Sequence, residues 1–121
     1  MDVKHIFIHE TRNNLAVLEQ ALIDGKELSD EVVEQVIRTM HTLRGTAPMV
    51  GYDELAQLAA PIECVYKRTP GNKDFLGADV VEQTLNALKV LLLLLDKEQS
   101  HKPDVREQQK VLIEFFNTIS G

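Results

Sequence analysis

The fold of this chain is decided by residues 29–68, which read SDEVVEQVIRTMHTLRGTAPMVGYDELAQLAAPIECVYKR. On both sides of Gly51, apolar residues recur every three or four positions, and this spacing predicts two amphipathic helices. The first helix starts with a good N-cap, and we expect it to weaken at Pro48 and to end near Gly51. Because the connection between the helices is short, we expect them to pack as an antiparallel hairpin.

Three further helical patterns flank this hairpin, and the sequence shows neither a convincing strand pattern nor an internal repeat. Gly25, residues 69–72 (TPGN) and residues 100–103 (SHKP) separate the patterns. The fourth pattern is apolar nearly all round near its end, which is typical of a helix between two layers. We therefore predict an all-α fold, an antiparallel up-down four-helix bundle with an additional C-terminal helix. The predicted helices span about residues 3–24, 29–51, 53–68, 77–98 and 104–120.

Composition narrows the possible functions. The 121 residues fit one domain, taken as residues 1–121, which can bury a core without disulfides or metals. Acidic residues outnumber basic ones, 19 to 13, and no Lys/Arg cluster is present, so we expect no nucleic-acid binding. The single cysteine, Cys64, favours a reducing compartment. The longest apolar run, residues 90–95, is far shorter than the roughly 20 residues of a membrane span, so we expect a soluble cytoplasmic protein without membrane contact.

His41 is the most informative single residue. It follows Met40 of the inner stripe, so it is expected at the edge of the core, anchored yet reachable. Helical side chains lean toward the N-terminus, so the residue that would cover His41 is at position 45, and that residue is glycine. Glycine inside a helix costs about 1 kcal/mol relative to alanine. An imidazole left open to a docking protein would account for this cost.

Two charged residues are expected beside this histidine. Arg44 lies three positions further along the same helix, so its guanidinium can lean back toward His41 and hold a phosphate. His41 lies ten residues before Gly51 and Glu63 lies twelve after it, so the two should be level to within about one helical turn of 5.4 Å. A carboxylate bonded to one ring nitrogen fixes the tautomer and raises the basicity of the other nitrogen. Such a nitrogen can attack phosphorus.

These residues carry a family resemblance. His-Thr-Leu-Arg-Gly-Thr-Ala at residues 41–47, Gly51 and then Leu-Ala-Gln-Leu-Ala-Ala-Pro-Ile-Glu at residues 55–63 resemble the H-x-L-K/R-G-S/T-A signature of histidine phosphotransfer (Hpt) domains. Residues 6–15, Ile-Phe-Ile-His-Glu-Thr-Arg-Asn-Asn-Leu, resemble the first helix of these domains. The resemblance follows the helix order of the whole chain. It is nearest to the Hpt modules of CheA-like chemosensory kinases, including those that govern type IV pili.

The resemblance implies a role for each residue of the motif. His41 would accept a phosphoryl group on its outer ring nitrogen, and Arg44, where the family usually has lysine, would steady that group. Glu63 would hydrogen-bond the inner nitrogen, and Gly45 would clear room for a receiver domain. The receiver-docking residues implied in this way are Thr42, Gly45 and Pro48.

The resemblance also implies partners, and the chain departs from the family pattern at two positions. The expected partners are a response-regulator receiver domain and the ATP-binding domain of a histidine kinase. The chain has no phosphate-binding glycine loop or kinase signature, so we expect no catalysis of its own and no cofactor. The resemblance implies that Mg²⁺ is held by the partner. The second histidine common in chemotaxis kinases is replaced at Ala60, which predicts a simpler proton network. Pro48 is expected to bend or end its helix near the site.

Two other functions remain open on the sequence alone. An Hpt-like adapter would bind a signalling partner without being phosphorylated, but it would need neither His41 nor Arg44. A metal-binding bundle would draw on His5 and His9, or on the Glu-x-x-His spacing of residues 98–101, yet both sets lack further ligands. The sequence also leaves open whether the chain stands alone or is part of a larger kinase.

Overall fold

The computed structural model describes residues 2–24, 28–68 and 77–120, and within these ranges it contains helices and no strand. The all-α prediction is therefore confirmed. Among the described residues, two short 3₁₀ turns, Ala47–Val50 and Gln99–His101, connect longer helices. The α-helices are α1 (Val3–Asp24), α2 (Asp30–Thr46), α3 (Asp53–Lys67), α4 (Ala78–Leu94) and α5 (Pro103–Ser120).

The helices α1 to α4 form a bundle in which directions alternate, and α5 is added to one side of it. The ring of Tyr52, at the start of α3, stacks on Phe7 near the start of α1 and lies under Lys97 just beyond α4. The start of α3 therefore meets the start of α1 and the end of α4. The helix α5 packs against α3 and α4. It runs parallel to α3, as the hydrogen bond from Gln109, in the first half of α5, to the Glu54 carbonyl near the start of α3 indicates. The predicted four-helix bundle with an extra C-terminal helix is present.

The corner between α2 and α3 has the shape that the sequence predicts. Ser29 caps α2 by accepting a hydrogen bond from the Val32 amide at 3.2 Å. The α-helix ends at Thr46, and Pro48, which has no amide hydrogen, lies in the 3₁₀ turn that follows. Gly51 then reverses the chain with a φ of +86°, a conformation that glycine adopts without strain. This corner sets α2 and α3 side by side.

The end of α4 differs from the prediction. The helix stops at Leu94, several residues before the expected end at residue 98. The Asp96 amide bonds the Leu93 carbonyl, a tighter pattern than that of an α-helix, and the Asp96 side chain accepts from the Glu98 amide at 2.9 Å. A short polar side chain that bonds nearby backbone competes with helix formation. The predicted breaks at Gly25 and residues 69–72 lie outside the described residues.

The core joins all five helices, and nearly all of it is apolar. One interior hydrogen bond joins Tyr66 to Thr84 at 2.7 Å, and the Thr84 hydroxyl donates to the Val80 carbonyl at 2.7 Å. Val111, which the apolar pattern places inside, is instead 53% exposed. Within the described ranges, no helix has the length and apolarity needed to cross a membrane. The largest fully buried side chains include Leu15, Leu18, Met40, Leu55, Leu58, Ile62, Leu88, Leu91 and Phe116.

Candidate functional site

His41 lies at the edge of the core stripe of α2, as its position in the sequence predicts. Its neighbour Met40 is fully buried and fixes this part of the helix. The His41 side chain itself is 62% exposed. The backbone beneath the imidazole is therefore held by packing, while much of the ring faces solvent.

Glu63 is the partner of His41 across the hairpin. Its carboxylate is 1% exposed, and it is the one charged residue among the described residues that is fully buried. The Oε2 atom lies 2.8 Å from Nδ1 of His41. Because a carboxylate only accepts, we assign the ring proton to Nδ1, which leaves a lone pair on Nε2. No hydrogen bond joins Nε2 to another residue in the described ranges.

Two cations complete the cluster. The Nη1 atom of Arg44 lies 3.2 Å from Glu63 Oε1, and the Nζ atom of Lys67 lies 2.9 Å from Oε2. Arg44 thus contacts the carboxylate, whereas the sequence led us to expect its guanidinium to lean toward His41. Lys67 was missed at the sequence level. Its only signal was its place four residues after Glu63, a common spacing of helical ion pairs.

The charge of Glu63 is set by opposing effects. Burial raises the pKa of its carboxyl group, but hydrogen bonds from Lys67 and His41 and the positive charge of Arg44 outweigh burial, so the pKa lies below its ordinary value. Glu63 is therefore a carboxylate at neutral pH. A buried charge is tolerated only when it is paired and hydrogen-bonded, and these three groups supply that pairing.

The two oxygens of Glu63 are not equally satisfied. Oε2 has both His41 Nδ1 and Lys67 Nζ within 2.9 Å. Oε1 is buried and has no hydrogen-bond donor among the described residues, because the nearby Arg44 group lacks the required angle. Arg44 is thus held near Oε1 by charge, without a directed hydrogen bond.

The residues expected to dock a receiver all lie on the surface. Thr42, Gly45 and Pro48 are exposed. A Cβ atom added at Gly45 would meet nothing within 4 Å, so internal packing does not require glycine there. The residue lies one helical turn beyond His41, and the surface between them is open. The geometry permits a protein to approach His41 from this side.

The other candidate ligands in the sequence do not gather around one point. His5 pairs with Asp2, with its Nδ1 atom 3.2 Å from Oδ1, and His9 lies 3.5 Å from the Asn13 amide nitrogen. In the part of the chain that the structure describes, no three His, Cys, Asp or Glu side chains converge in a way that could hold a metal ion. The cluster around His41 is thus the arrangement best suited to chemistry among the described residues.

Comparisons with known proteins place the chain in one family. The family model described as Hpt domain matches residues 2–97, which include α1 to α4 and all four residues of the cluster. The chemotaxis protein CheA of Rhizobium meliloti (strain 1021) is 33% identical over 101 residues, which cover 73% of this chain and 13% of that protein. This chain therefore spans a small part of that relative's length. Among solved structures, none matches the chain at a significant level.

Proposed function

Since the chain belongs to the Hpt domain family, we propose that it carries a phosphoryl group on the Nε2 atom of His41. The family match and the CheA relative support a phosphotransfer role in two-component signalling. The observation that carries the finer proposal is the 2.8 Å contact between His41 Nδ1 and the buried Glu63 carboxylate. This contact leaves the other ring nitrogen unprotonated and facing solvent, as a nucleophile requires.

The transfer step follows from this tautomer. The Nε2 lone pair attacks the phosphorus of a phosphorylated receiver aspartate, so that an N–P bond forms and the P–O bond to the aspartate breaks. The aspartate leaves as a carboxylate. The proton on Nδ1 stays in place, and the ring acquires positive charge that the Glu63 carboxylate stabilises. No proton has to enter or leave the site, and the step is reversible with the same atoms.

Arg44 is proposed to steady the transferred group. A guanidinium can donate two parallel hydrogen bonds to phosphoryl oxygens, and phosphoryl transfer depends mainly on positioning and charge neutralisation. Arg44 lies three residues from His41 on the same helix, and its side chain is 45% exposed, so a docked partner can reach it. Its contact with Glu63 Oε1 lacks hydrogen-bond geometry, so a move toward a phosphoryl group would break no directed hydrogen bond.

The partners we propose are a receiver domain and the ATP-binding domain of a histidine kinase in the cytoplasm. The surface that would meet them comprises Thr42, Gly45 and Pro48 beside His41. The Mg²⁺ needed for transfer would be held by the partner. The CheA relative supports a chemosensory pathway of this kind, in which this chain would act as the phosphoryl intermediate.

The test is labelling by a phosphodonor. The purified 121-residue chain is incubated with histidine kinases or phosphorylated receivers from the same cell. We expect a label that is labile in acid and stable in base, and that is lost in His41→Gln but retained in His9→Gln. Labelling of His41→Gln at the full rate would contradict the proposal. Partner binding without any labelling of the wild-type chain would instead indicate an adapter.

A further inference from the structure

Lys67 is the member of the cluster to which the phosphotransfer chemistry above gives no role. It lies one turn beyond Glu63 on α3, and its Nζ atom contacts Oε2, the oxygen that also accepts from His41. Its side chain is 53% exposed, so it is not needed to fill the core. A cation in this position acts on His41 only through the carboxylate.

The charges facing Glu63 come from two helices. His41 and Arg44 approach it from α2, and Lys67 approaches it from α3 itself. From α4 and α5, no charged group among the described residues lies within ion-pair distance of this carboxylate. When Arg44 turns toward a phosphoryl group, Oε1 loses its neighbouring cation. Lys67 is then the cation that remains beside the buried Glu63 carboxylate.

The two cations also differ in how firmly they are held. Lys67 lies four residues after Glu63, the orientation of a helical Glu–Lys pair that is favoured, and its Nζ atom is 2.9 Å from Oε2. Arg44 lies 3.2 Å from Oε1, so both contacts are ion pairs, but that of Arg44 is longer and crosses from one helix to another. The cation that is held less firmly is therefore the one on the same helix as His41. This difference fits a site in which Lys67 stays on Glu63 while Arg44 moves to another group.

We propose that Lys67 is the positioning residue of the site: it keeps the Glu63 carboxylate charged and bonded to His41 Nδ1 while Arg44 leaves for the phosphoryl group. This inference rests on the proposed function. Without Lys67, departure of Arg44 would leave a buried carboxylate with one hydrogen bond from a ring that is itself gaining charge. Arg44 would then stay on Glu63, and the phosphoryl group would lose its support.

The test compares Lys67→Met with Lys110→Met, which removes the same charge from an exposed position on α5, and with Lys67→Arg, which retains a cation. The donor is a receiver domain charged with acetyl phosphate. For Lys67→Met we expect kcat to fall about tenfold, the lower end of the effect of removing a group that orients a histidine. The KM for the receiver should not change, because Lys67 is proposed to act on Glu63 and not on docking. Lys110→Met should match the wild type, and Lys67→Arg should stay within about twofold of it.

A second readout uses the protein before any phosphorylation. NMR of the His41 ring nitrogens and the Glu63 carboxyl carbon should show, in Lys67→Met, a smaller fraction of the Nδ1–H tautomer and a higher Glu63 pKa. Lys67→Gln repeats the measurement with a polar side chain should Lys67→Met fold poorly. Unchanged kcat, tautomer and Glu63 pKa in Lys67→Met would overturn the inference while His41 remained the carrier. Equal losses of kcat in Lys67→Met and Lys110→Met would also overturn it. A label that persists in His41→Gln would defeat the proposed function itself.

Discussion

At the scale of single residues, the site depends on the buried carboxylate of Glu63. Because its pKa is lower in the folded chain than the ordinary value of 4.5, it adds stability above that pH, and this stability is lost as the pH falls through the folded pKa. The groups that face Glu63 are His41, Arg44 and Lys67. The contacts that hold the ionised Glu63 carboxylate in the site therefore also contribute to the stability of the fold.

This linkage predicts how the effect of Glu63→Gln on the free energy of unfolding varies with pH. We expect the free energy of unfolding of the wild type to exceed that of the variant at neutral pH. The difference should shrink as the pH falls from about 5 to about 3, because protonation removes the charge that the variant already lacks. Urea unfolding of the wild type and the variant at several pH values gives both free energies. A difference that stays constant over this range would show that His41, Arg44 and Lys67 do not stabilise the charged form.

Gly45 provides a test of the open surface beside His41. Gly45→Ala should stabilise the chain by about 0.5 kcal/mol, because alanine favours the helix and its Cβ meets nothing within 4 Å. Gly45→Leu should fold equally well but raise the KM for a phosphorylated receiver about tenfold by covering the approach to His41. Urea unfolding and transfer kinetics measure the two effects. A Gly45→Leu chain with wild-type KM would show that the receiver does not dock there.

The sequence predicted part of this cluster and missed part. His41, Arg44 and Glu63 could be brought together because helix periodicity and the corner at Gly51 fix their heights. Lys67 could not be singled out, because a Glu–Lys pair at this spacing is usual on solvated helix faces. Its importance comes from the burial of Glu63, which depends on how α2 packs against α3.

At the scale of elements, α5 supports the helix that carries Glu63. Phe116 is fully buried on its inner face, where α5 packs against α3 and α4. At the two ends of α3, Gln109 donates to the Glu54 carbonyl at 3.0 Å and the Arg68 guanidinium donates to the Ser120 carbonyl. The added helix therefore holds α3 along most of its length.

Removing the Phe116 ring tests this support. Phe116→Ala should lower the free energy of unfolding by about 3–5 kcal/mol, the usual cost of removing a buried aromatic ring. Val111→Ala, on the exposed side of the same helix, should change it by less than about 0.5 kcal/mol. Denaturant unfolding provides both values. Equal effects of the two substitutions would show that α5 is not packed on the bundle through Phe116.

Element boundaries show where sequence patterns stop being informative. The starts and ends near Ser29, Thr46 and Gly51 follow from side chains that cap, break or reverse a helix locally. The end of α4 was placed too late because the apolar pattern continues through Leu95, which is itself buried. The Asp96 side chain decides that end by bonding the following backbone, and the pattern of apolar residues does not report such a bond.

At the scale of the whole molecule, the bundle serves to hold one imidazole half-exposed against one buried carboxylate. The all-α class and the helix order could be predicted because all five apolar patterns have helical periodicity and the connections are short. The side on which α5 adds, and its direction parallel to α3, could not. These depend on long-range contacts such as that of Gln109 with Glu54.

The most direct test of the central claim is to determine which atom carries the phosphorus. The chain, labelled with ¹⁵N at its four histidines, is phosphorylated by its donor and examined by NMR for coupling between phosphorus and ring nitrogen. We predict coupling to Nε2 of His41 alone, with Nδ1 of the same ring still protonated against Glu63. Phosphorus on Nδ1 of His41, or on His5, His9 or His101, would contradict the account.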